Sequence, residues 1–223
     1  MAIKEPAPPL KKLVPEEVFA ELKREQQKRR ELGQVSWLVV GESGSGKTTL
    51  LKTAVRPIFI DSFDPGGTNS IRHELEGDDI LVDTQWESPG EDLHAAWEHF
   101  RRTFRHRVRS GVFDKIGTYC WDSLSSGAGV LFGWGTKEAE KEPKYDSRTF
   151  YGKAQVQLMI HLREVLSLPC DVIVIAHPDN PDKDSSTTRG ISGIAPIFIG
   201  RQKQPMMLFS EIYYLEKLTP QKD

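Results

Sequence analysis

Short apolar runs alternate along the chain with amphipathic, charged stretches. An apolar run of this length, flanked by turn residues, is typical of a strand that is buried on both faces. The pattern predicts strands at 35–40, 57–61, 80–83, 116–121, 171–176, 194–199 and 208–215. It predicts helices at 15–32, 47–55, 89–109 and 151–168. Together they predict an α/β fold: a mostly parallel central sheet flanked by helices, with the last two strands as an antiparallel hairpin at the edge.

The helix predicted at 89–109 has two contrasting faces. Its apolar positions recur in steps of four and three, which predicts a stripe packed on the core: Leu93, Trp97, Phe100, Phe104 and Val108. Away from the stripe lies a basic cluster without a carboxylate in it: Arg101, Arg102, Arg105, His106, Arg107 and Arg109. Two interpretations of this cluster stay open, a solvated helix face and a contact with a phosphate backbone or another subunit.

The first 33 residues differ from the rest of the chain. Residues 1–14 are rich in proline and lysine, which favours an extended arm, and the charged helix 15–32 is closed by Gly33. An apolar patch in this helix has two interpretations: it docks a peripheral helix, or it packs on a neighbouring subunit. The composition therefore predicts an N-terminal arm and helix over 1–33 and one α/β domain over 34–223.

Composition narrows the class of protein only slightly. The chain has 223 residues and a formal net charge of −2, so no global charge indicates a polyanionic partner. Cys120 and Cys170 lie in apolar runs and are expected to be buried thiols. Because no apolar run is long enough to span a bilayer and no secretory signal is present, we expect a soluble, cytoplasmic protein without a membrane partner.

The first predicted strand runs directly into a glycine-rich segment that follows the P-loop pattern G-x-x-x-x-G-K-[ST]. Its glycines allow consecutive N–H groups to form an anion-binding nest, and Lys47 adds a mobile positive charge. The hydroxyl of Thr48 can bind Mg²⁺. We therefore expect a triphosphate to bind along the whole segment: Gly41, Glu42, Ser43, Gly44, Ser45, Gly46, Lys47, Thr48 and Thr49.

Polar residues also end two of the later strands. Asp122 follows the strand 116–121, and an acid at that point downstream of a P-loop is the Walker B arrangement, which orients Mg²⁺. The same side chain can also cap the next helix. His177 ends the strand 171–176, where it is either a sensor of the γ-phosphate or the attacking water, or a structural histidine.

This ordered set of motifs resembles the RecA core, and more closely the small phage-encoded RecA-like nucleotide-binding proteins of the Sak recombination group. The matching stretches, which span most of residues 35–215, are 41–49, 59–67, 119–125, 172–177 and 193–215. The resemblance implies that residues 34–223 form a RecA-like ATPase domain that uses ATP and Mg²⁺.

The resemblance also implies roles for further residues. In RecA-like enzymes an acid ending the strand after the P-loop helix activates the hydrolytic water, and here Asp64 is the preferred base and Asp61 the fallback. Because the usual residue is the longer Glu, we expect slow or DNA-stimulated hydrolysis. Some RecA-type assemblies add a basic residue from the next subunit, which makes Arg201 and Lys203 candidates in a homo-oligomer.

Single-stranded DNA is the partner that the resemblance implies. RecA-like proteins bind it through loops after the Walker B and sensor strands, which correspond to two predicted polar loops at 134–150 and 178–193. Charges cancel in the first loop and are slightly acidic in the second. DNA binding is therefore expected to be weak or to depend on avidity in an oligomer.

Three functions are compatible with these features. The leading hypothesis is a Mg²⁺-dependent ATPase that acts in phage DNA recombination or single-strand annealing. The second is a nucleotide-gated binding module with little hydrolysis, which the Asp in place of Glu favours. The third is a small-molecule P-loop kinase, which is less favoured because such kinases need a basic lid and the loop 178–193 is net acidic.

Overall fold

The computed structural model describes residues 14–142, 147–178 and 205–217. The chain divides into two units, residues 1–34 and 35–223. The first contains helix α1 (Pro15–Leu32), and the two interpretations of its apolar patch stay predictions. Within the described ranges, no helix combines the length and the apolar character that crossing a bilayer requires.

Among the described residues, the second unit has a six-stranded sheet with the order β3-β2-β4-β5-β1-β6, and all the strand pairings there are parallel. Its strands are β1 (Ser36–Gly41), β2 (Ile58–Ser62), β3 (Ile80–Asp83), β4 (Thr118–Asp122), β5 (Asp171–Ala176) and β6 (Glu211–Leu215). The prediction of an α/β fold around a mostly parallel sheet is therefore confirmed. Parallel strands end at the same edge, so the polar residues after β1, β2, β4 and β5 meet there.

The C-terminal strand differs from the expected hairpin strand. A short 3₁₀ helix (Pro205–Leu208) precedes β6, which pairs in parallel with β1. Reciprocal hydrogen bonds between Ser36 and Ser210 fix the start of this pairing, and Leu215 lies opposite Gly41. The expected antiparallel partner 194–199 lies outside the described residues, as do Arg201, Lys203 and all of the loop 178–193 except Pro178.

The α-helices in the described part of this unit are α2 (Lys47–Leu50), α3 (Leu93–Arg109), α4 (Leu124–Glu140) and α5 (Ser147–Leu166). A 3₁₀ turn continues α2 to Thr53. Helix α3 begins after Asp92, whose side chain accepts a hydrogen bond from the backbone N–H of Ala95, rather than at Pro89. An aspartate at this position satisfies a backbone donor that the helix leaves unpaired.

The expectation of a long loop at 134–150 is wrong, because α4 and α5 form a helical hairpin through most of it. Trp134 and Ala139 are buried on the inner side of α4. Lys153 of α5 donates to the carbonyl oxygen of Glu138 at 2.9 Å, which ties the two helices together. High charge alone did not identify a loop, since a helix tolerates charges on one face when the other is buried.

Each face of the sheet covers its own apolar core. One face packs against α3, α4 and α5 through a dense aromatic group that includes Trp97, Phe100, Phe104 and Trp121. The other face packs the residues Val39, Ile60 and Ile175 against Leu51, next to the P-loop. Alternate strand residues thus belong to different layers, and this alternation decides which side chains can face the P-loop.

Candidate active site

The glycine-rich segment leaves β1 and turns back beside β6. A Cβ atom on Gly41 would lie 2.4 Å from Ser45 Oγ and 2.8 Å from the carbonyl oxygen of Leu215, so only glycine fits there. Gly44 and Gly46 have positive φ angles of 73° and 94°, which side chains with a Cβ rarely adopt. The backbone turn that a P-loop requires is therefore present.

Lys47 is buried at the start of α2, with a relative exposure of 6%. Its Nζ donates to the carbonyl oxygens of Gly41 at 2.7 Å and Glu42 at 2.9 Å. Burial lowers the pKa of Lys47, against the nearby charges of Asp122 and Asp64, which raise it. The ammonium is thus held over the loop by carbonyl oxygens that a phosphate oxygen can replace.

Thr48 and Asp122 meet across the gap between α2 and the end of β4. Thr48 Oγ1 donates to Asp122 Oδ2 at 2.9 Å, and Asp122 is only 2% exposed. A hydroxyl and a carboxylate are the hard oxygen donors that suit Mg²⁺. In the described part of the chain, no group of three or more His, Cys, Asp or Glu residues could hold a metal ion. A magnesium ion at this pair would take its remaining ligands from phosphate and water.

Asp64 lies beside Asp122 in a cluster of hydroxyls. Its Oδ1 accepts from Ser123 Oγ at 2.9 Å and also from Ser126 Oγ, and its Oδ2 accepts from His177 Nε2 at 2.9 Å. Burial would raise the pKa of Asp64, but the hydrogen bonds from His177, Ser126 and Ser123 lower it overall. Asp64 is therefore an ionised acceptor at neutral pH.

His177 is positioned by its backbone as well as by its ring. Its N–H donates to Ser125 Oγ at 2.9 Å, which ties the end of β5 to the start of α4. The structure thus brings five of the sequence-predicted site residues to one edge of the sheet: Lys47, Thr48, Asp64, Asp122 and His177.

The fallback base Asp61 lies away from this group of residues. It is fully buried, and its carboxylate accepts hydrogen bonds from Trp86, Arg107 and Tyr119 at 2.8 to 2.9 Å. Burial raises the pKa of Asp61 overall, although these three donors act to lower it. The alternation of side chains along β2 explains why Asp61 does not face the P-loop. Asp61 lies on the same face of the strand as Phe59, which packs on the α3 side, away from α2.

The basic cluster of α3 also has partners that the sequence did not reveal. Arg101 pairs with Glu98, Arg105 with Glu164, and Arg107 with both Asp61 and Asp83. Three of the six cluster members thus form internal ion pairs. The acids come mainly from other elements, which is why inspection of the helix alone suggested an unpartnered basic face.

A match to a known family fits this geometry. Residues 34–212 match the family described as AAA domain, which is most of the chain. The chain belongs to the AAA domain family. With its parallel sheet and its glycine-rich turn, it is a P-loop NTPase domain. The comparison with curated proteins gives no match.

Two solved ATPases are partly similar to this AAA domain. A prototypical ATPase from the type III secretion system of pathogenic bacteria matches at 16% identity and a TM-score of 0.38, over 67% of this chain and 47% of its own. The VirB11 ATPase from the Brucella suis type IV secretion system, in complex with sulphate, matches at 17% identity and a TM-score of 0.26, over 81% of this chain and 55% of its own. The matches span about half of each ATPase.

The AAA domain also positions site residues that the sequence analysis missed. Glu87 accepts hydrogen bonds from Ser62 Oγ at 2.7 Å and from the backbone N–H of Gly66 at 3.0 Å, which holds the loop that carries Asp64. The serines at 123, 125 and 126 fix Asp64 and His177. The run of hydroxyl side chains directly after the Walker B strand could have indicated these serines from the sequence. Glu87, in contrast, lies in a polar loop that contains no motif.

Asp122→Asn is expected to stabilise the free AAA domain at neutral pH. Burial raises the pKa of Asp122 to about 6, from an ordinary value of 3.8. Between about pH 4 and pH 6 the folded protein keeps a proton that the unfolded chain has already lost, so stability falls as pH rises through this window. The full cost of ionising Asp122 is therefore present above about pH 6. Urea unfolding at pH 7.5 should show a gain of up to about 3 kcal/mol for the variant.

The same substitution should weaken the dependence of ATP affinity on Mg²⁺, because the metal-side carboxylate is gone while Thr48 remains. The stability gain should shrink to less than about 1 kcal/mol at pH 4, where Asp122 is protonated in the folded wild type and partly protonated in the unfolded chain. A gain that persists unchanged at pH 4 would contradict the assigned pKa shift.

Proposed function

We propose that this domain binds ATP with Mg²⁺ and hydrolyses it slowly. The observation that carries the proposal is the convergence of a lysine, a hydroxyl–carboxylate pair and a second carboxylate at the edge where the P-loop lies. Lys47 would exchange its carbonyl contacts for the β- and γ-phosphate oxygens. Thr48 and Asp122 would hold Mg²⁺, which would neutralise charge on the phosphates.

Asp64 would act as the general base. A water molecule held by its carboxylate would attack the γ-phosphorus, its proton would pass to Asp64, and the bond to the β-phosphate oxygen would break to leave ADP. His177, hydrogen-bonded to the same carboxylate, would sense whether the γ-phosphate is present. Its link to Ser125 would carry that signal to α4.

One observation favours slow turnover and supports a second candidate function. Hydrogen bonds occupy both oxygens of Asp64 and lower its pKa, which weakens a carboxylate as a base. A site of this kind can bind ATP tightly and hydrolyse it little. The second candidate is therefore a nucleotide-gated binding module, in which the state of the nucleotide controls a partner.

We further propose that the domain acts on single-stranded DNA in phage recombination or annealing, in the cytoplasm of the host. The support is the resemblance of the ordered motifs to the Sak group. With 134–150 largely helical, the loop 178–193 remains the DNA-contacting candidate. Weak contacts would add up in a homo-oligomer, in which Arg201 or Lys203 would reach the neighbouring site.

Lys47→Ala is expected to weaken ATP binding about 100-fold and to remove turnover, because the substitution deletes the charge that holds the phosphates. Isothermal titration with ATP and Mg²⁺ and a steady-state phosphate-release assay measure the two effects. Lys52→Ala is the matched control, since this nearby lysine pairs with Glu74 and should change neither value more than about twofold. Turnover that survives Lys47→Ala would overturn the proposed site.

The same phosphate-release assay, with and without single-stranded DNA, separates the two candidate functions. Turnover that DNA stimulates supports the recombination role. Tight ATP binding with undetectable turnover would select the nucleotide-gated module. Turnover that ignores DNA, together with no DNA binding at low salt, would remove the recombination role and leave the ATPase intact.

A further inference from the structure

The chain segment after β6 runs past the P-loop. Because β6 pairs in parallel with β1 and places Leu215 opposite Gly41, the residues after Leu215 continue beyond the sheet on the same side as the loop. Lys217 is the second of them. Its Nζ lies 3.1 Å, and its Cε 3.2 Å, from the point that a Cβ atom of Gly44 would occupy.

This approach places two ammonium groups at one loop. Lys47 contacts the carbonyl oxygens of Gly41 and Glu42, and Lys217 lies beside Gly44. The charge of Lys217 contributes to the lowered pKa of Lys47, after the larger effect of burial. Among the described residues, Lys217 has no hydrogen-bond or ion-pair partner. Two like charges held close together favour binding of a multivalent anion, which removes their repulsion.

We propose that Lys217 is a second phosphate-binding cation, which reaches the polyphosphate of the bound nucleotide from the β6 side, opposite the Walker B carboxylate. The inference rests on the proposed ATP binding and adds a residue that the P-loop pattern does not contain. It also gives Gly44 a second role, since a side chain there would lie within 3.1 Å of the Lys217 ammonium. The contact comes from the same chain and needs no neighbouring subunit.

The experiment compares Lys217→Ala with the wild type by isothermal titration of ATP, ADP and adenosine. The Kd for ATP should rise about tenfold, the Kd for ADP should rise less, and the affinity for adenosine should not change. The salt dependence of ATP binding should also become weaker, since one cation no longer contacts phosphate. Lys217→Arg should keep most of the affinity, and Lys217→Glu should lose more than Lys217→Ala.

The outcomes distinguish this inference from the function on which it rests. Lys217 is exposed, so its replacement should leave the fold intact, which thermal unfolding checks. If the wild type binds ATP and Lys217→Ala binds it equally well, the inference is wrong and the proposed function stands. An equal loss for ATP, ADP and adenosine would place the side chain at the nucleoside instead and would also overturn it. If the wild type binds no ATP, both fail.

Discussion

Asp64→Asn is expected to reduce ATP turnover by about 100-fold or more while leaving the Kd for ATP within about threefold of the wild-type value. General-base catalysis contributes on the order of 10² to 10⁴ in rate, and the amide of Asn cannot accept the proton of the attacking water. The shape of the site should survive, because an amide oxygen can still accept the hydrogen bond of Ser123 or Ser126. Phosphate release measures the turnover, and titration with ATP measures the affinity.

The matched control is Asp61→Asn, which makes the same substitution at the neighbouring aspartate in β2. Because Asp61 is buried on the α3 side, its replacement should lower stability but leave turnover per folded molecule close to that of the wild type. The reverse pattern, in which Asp61→Asn stops hydrolysis and Asp64→Asn does not, would contradict the assignment of the base. Equal turnover in both variants would indicate a water that needs no protein base.

The difference between Asp61 and Asp64 also shows which parts of the site could be predicted from the sequence. A P-loop is local, so a run of glycines followed by lysine and threonine identifies it without knowledge of the fold. Asp122 required one further step, because it ends an apolar strand. Choosing between Asp61 and Asp64 required knowing which helices cover each face of the sheet. That cover is set by the packing of α3, which lies more than thirty positions away in the chain.

The structure of the charged segments likewise depends on contacts with distant parts of the chain, which the sequence alone does not show. The segment 134–150 has as many basic as acidic side chains, and a solvated loop and a half-buried helix share that composition. The burial of Trp134, which the packing of α3 and α4 provides, separates the two. The direction of β6 posed the same problem, because nothing in its own residues distinguishes a parallel partner from an antiparallel one.

Arg107→Met is expected to cause the largest loss of stability among the proposed variants, about 3–5 kcal/mol in the free energy of unfolding. Arg107 donates to Asp61 at 2.9 Å, pairs with Asp83 and stacks its guanidinium 4.9 Å from the ring centre of Phe59. It thereby joins α3 to β2 and β3. Its removal leaves the fully buried carboxylate of Asp61 without its counter-charge, and this desolvated charge is the main cost. Urea unfolding at pH 7.5 measures the loss.

Two further variants test that explanation. Arg105→Met is the matched control on the same helix, because its pair with Glu164 is only partly buried, and it should cost about 1 kcal/mol or less. The double variant Asp61→Asn, Arg107→Met should recover part of the loss, since it removes the buried charge together with its partner. If the double variant is instead as unstable as the sum of the two single variants, the arginine acts through its packing on Phe59 and not through the charge of Asp61. The apolar contact with Phe59 would then stabilise the fold, and the ion pairs of Arg107 would contribute little. In that case the pH dependence of stability should not differ between Arg107→Met and the wild type.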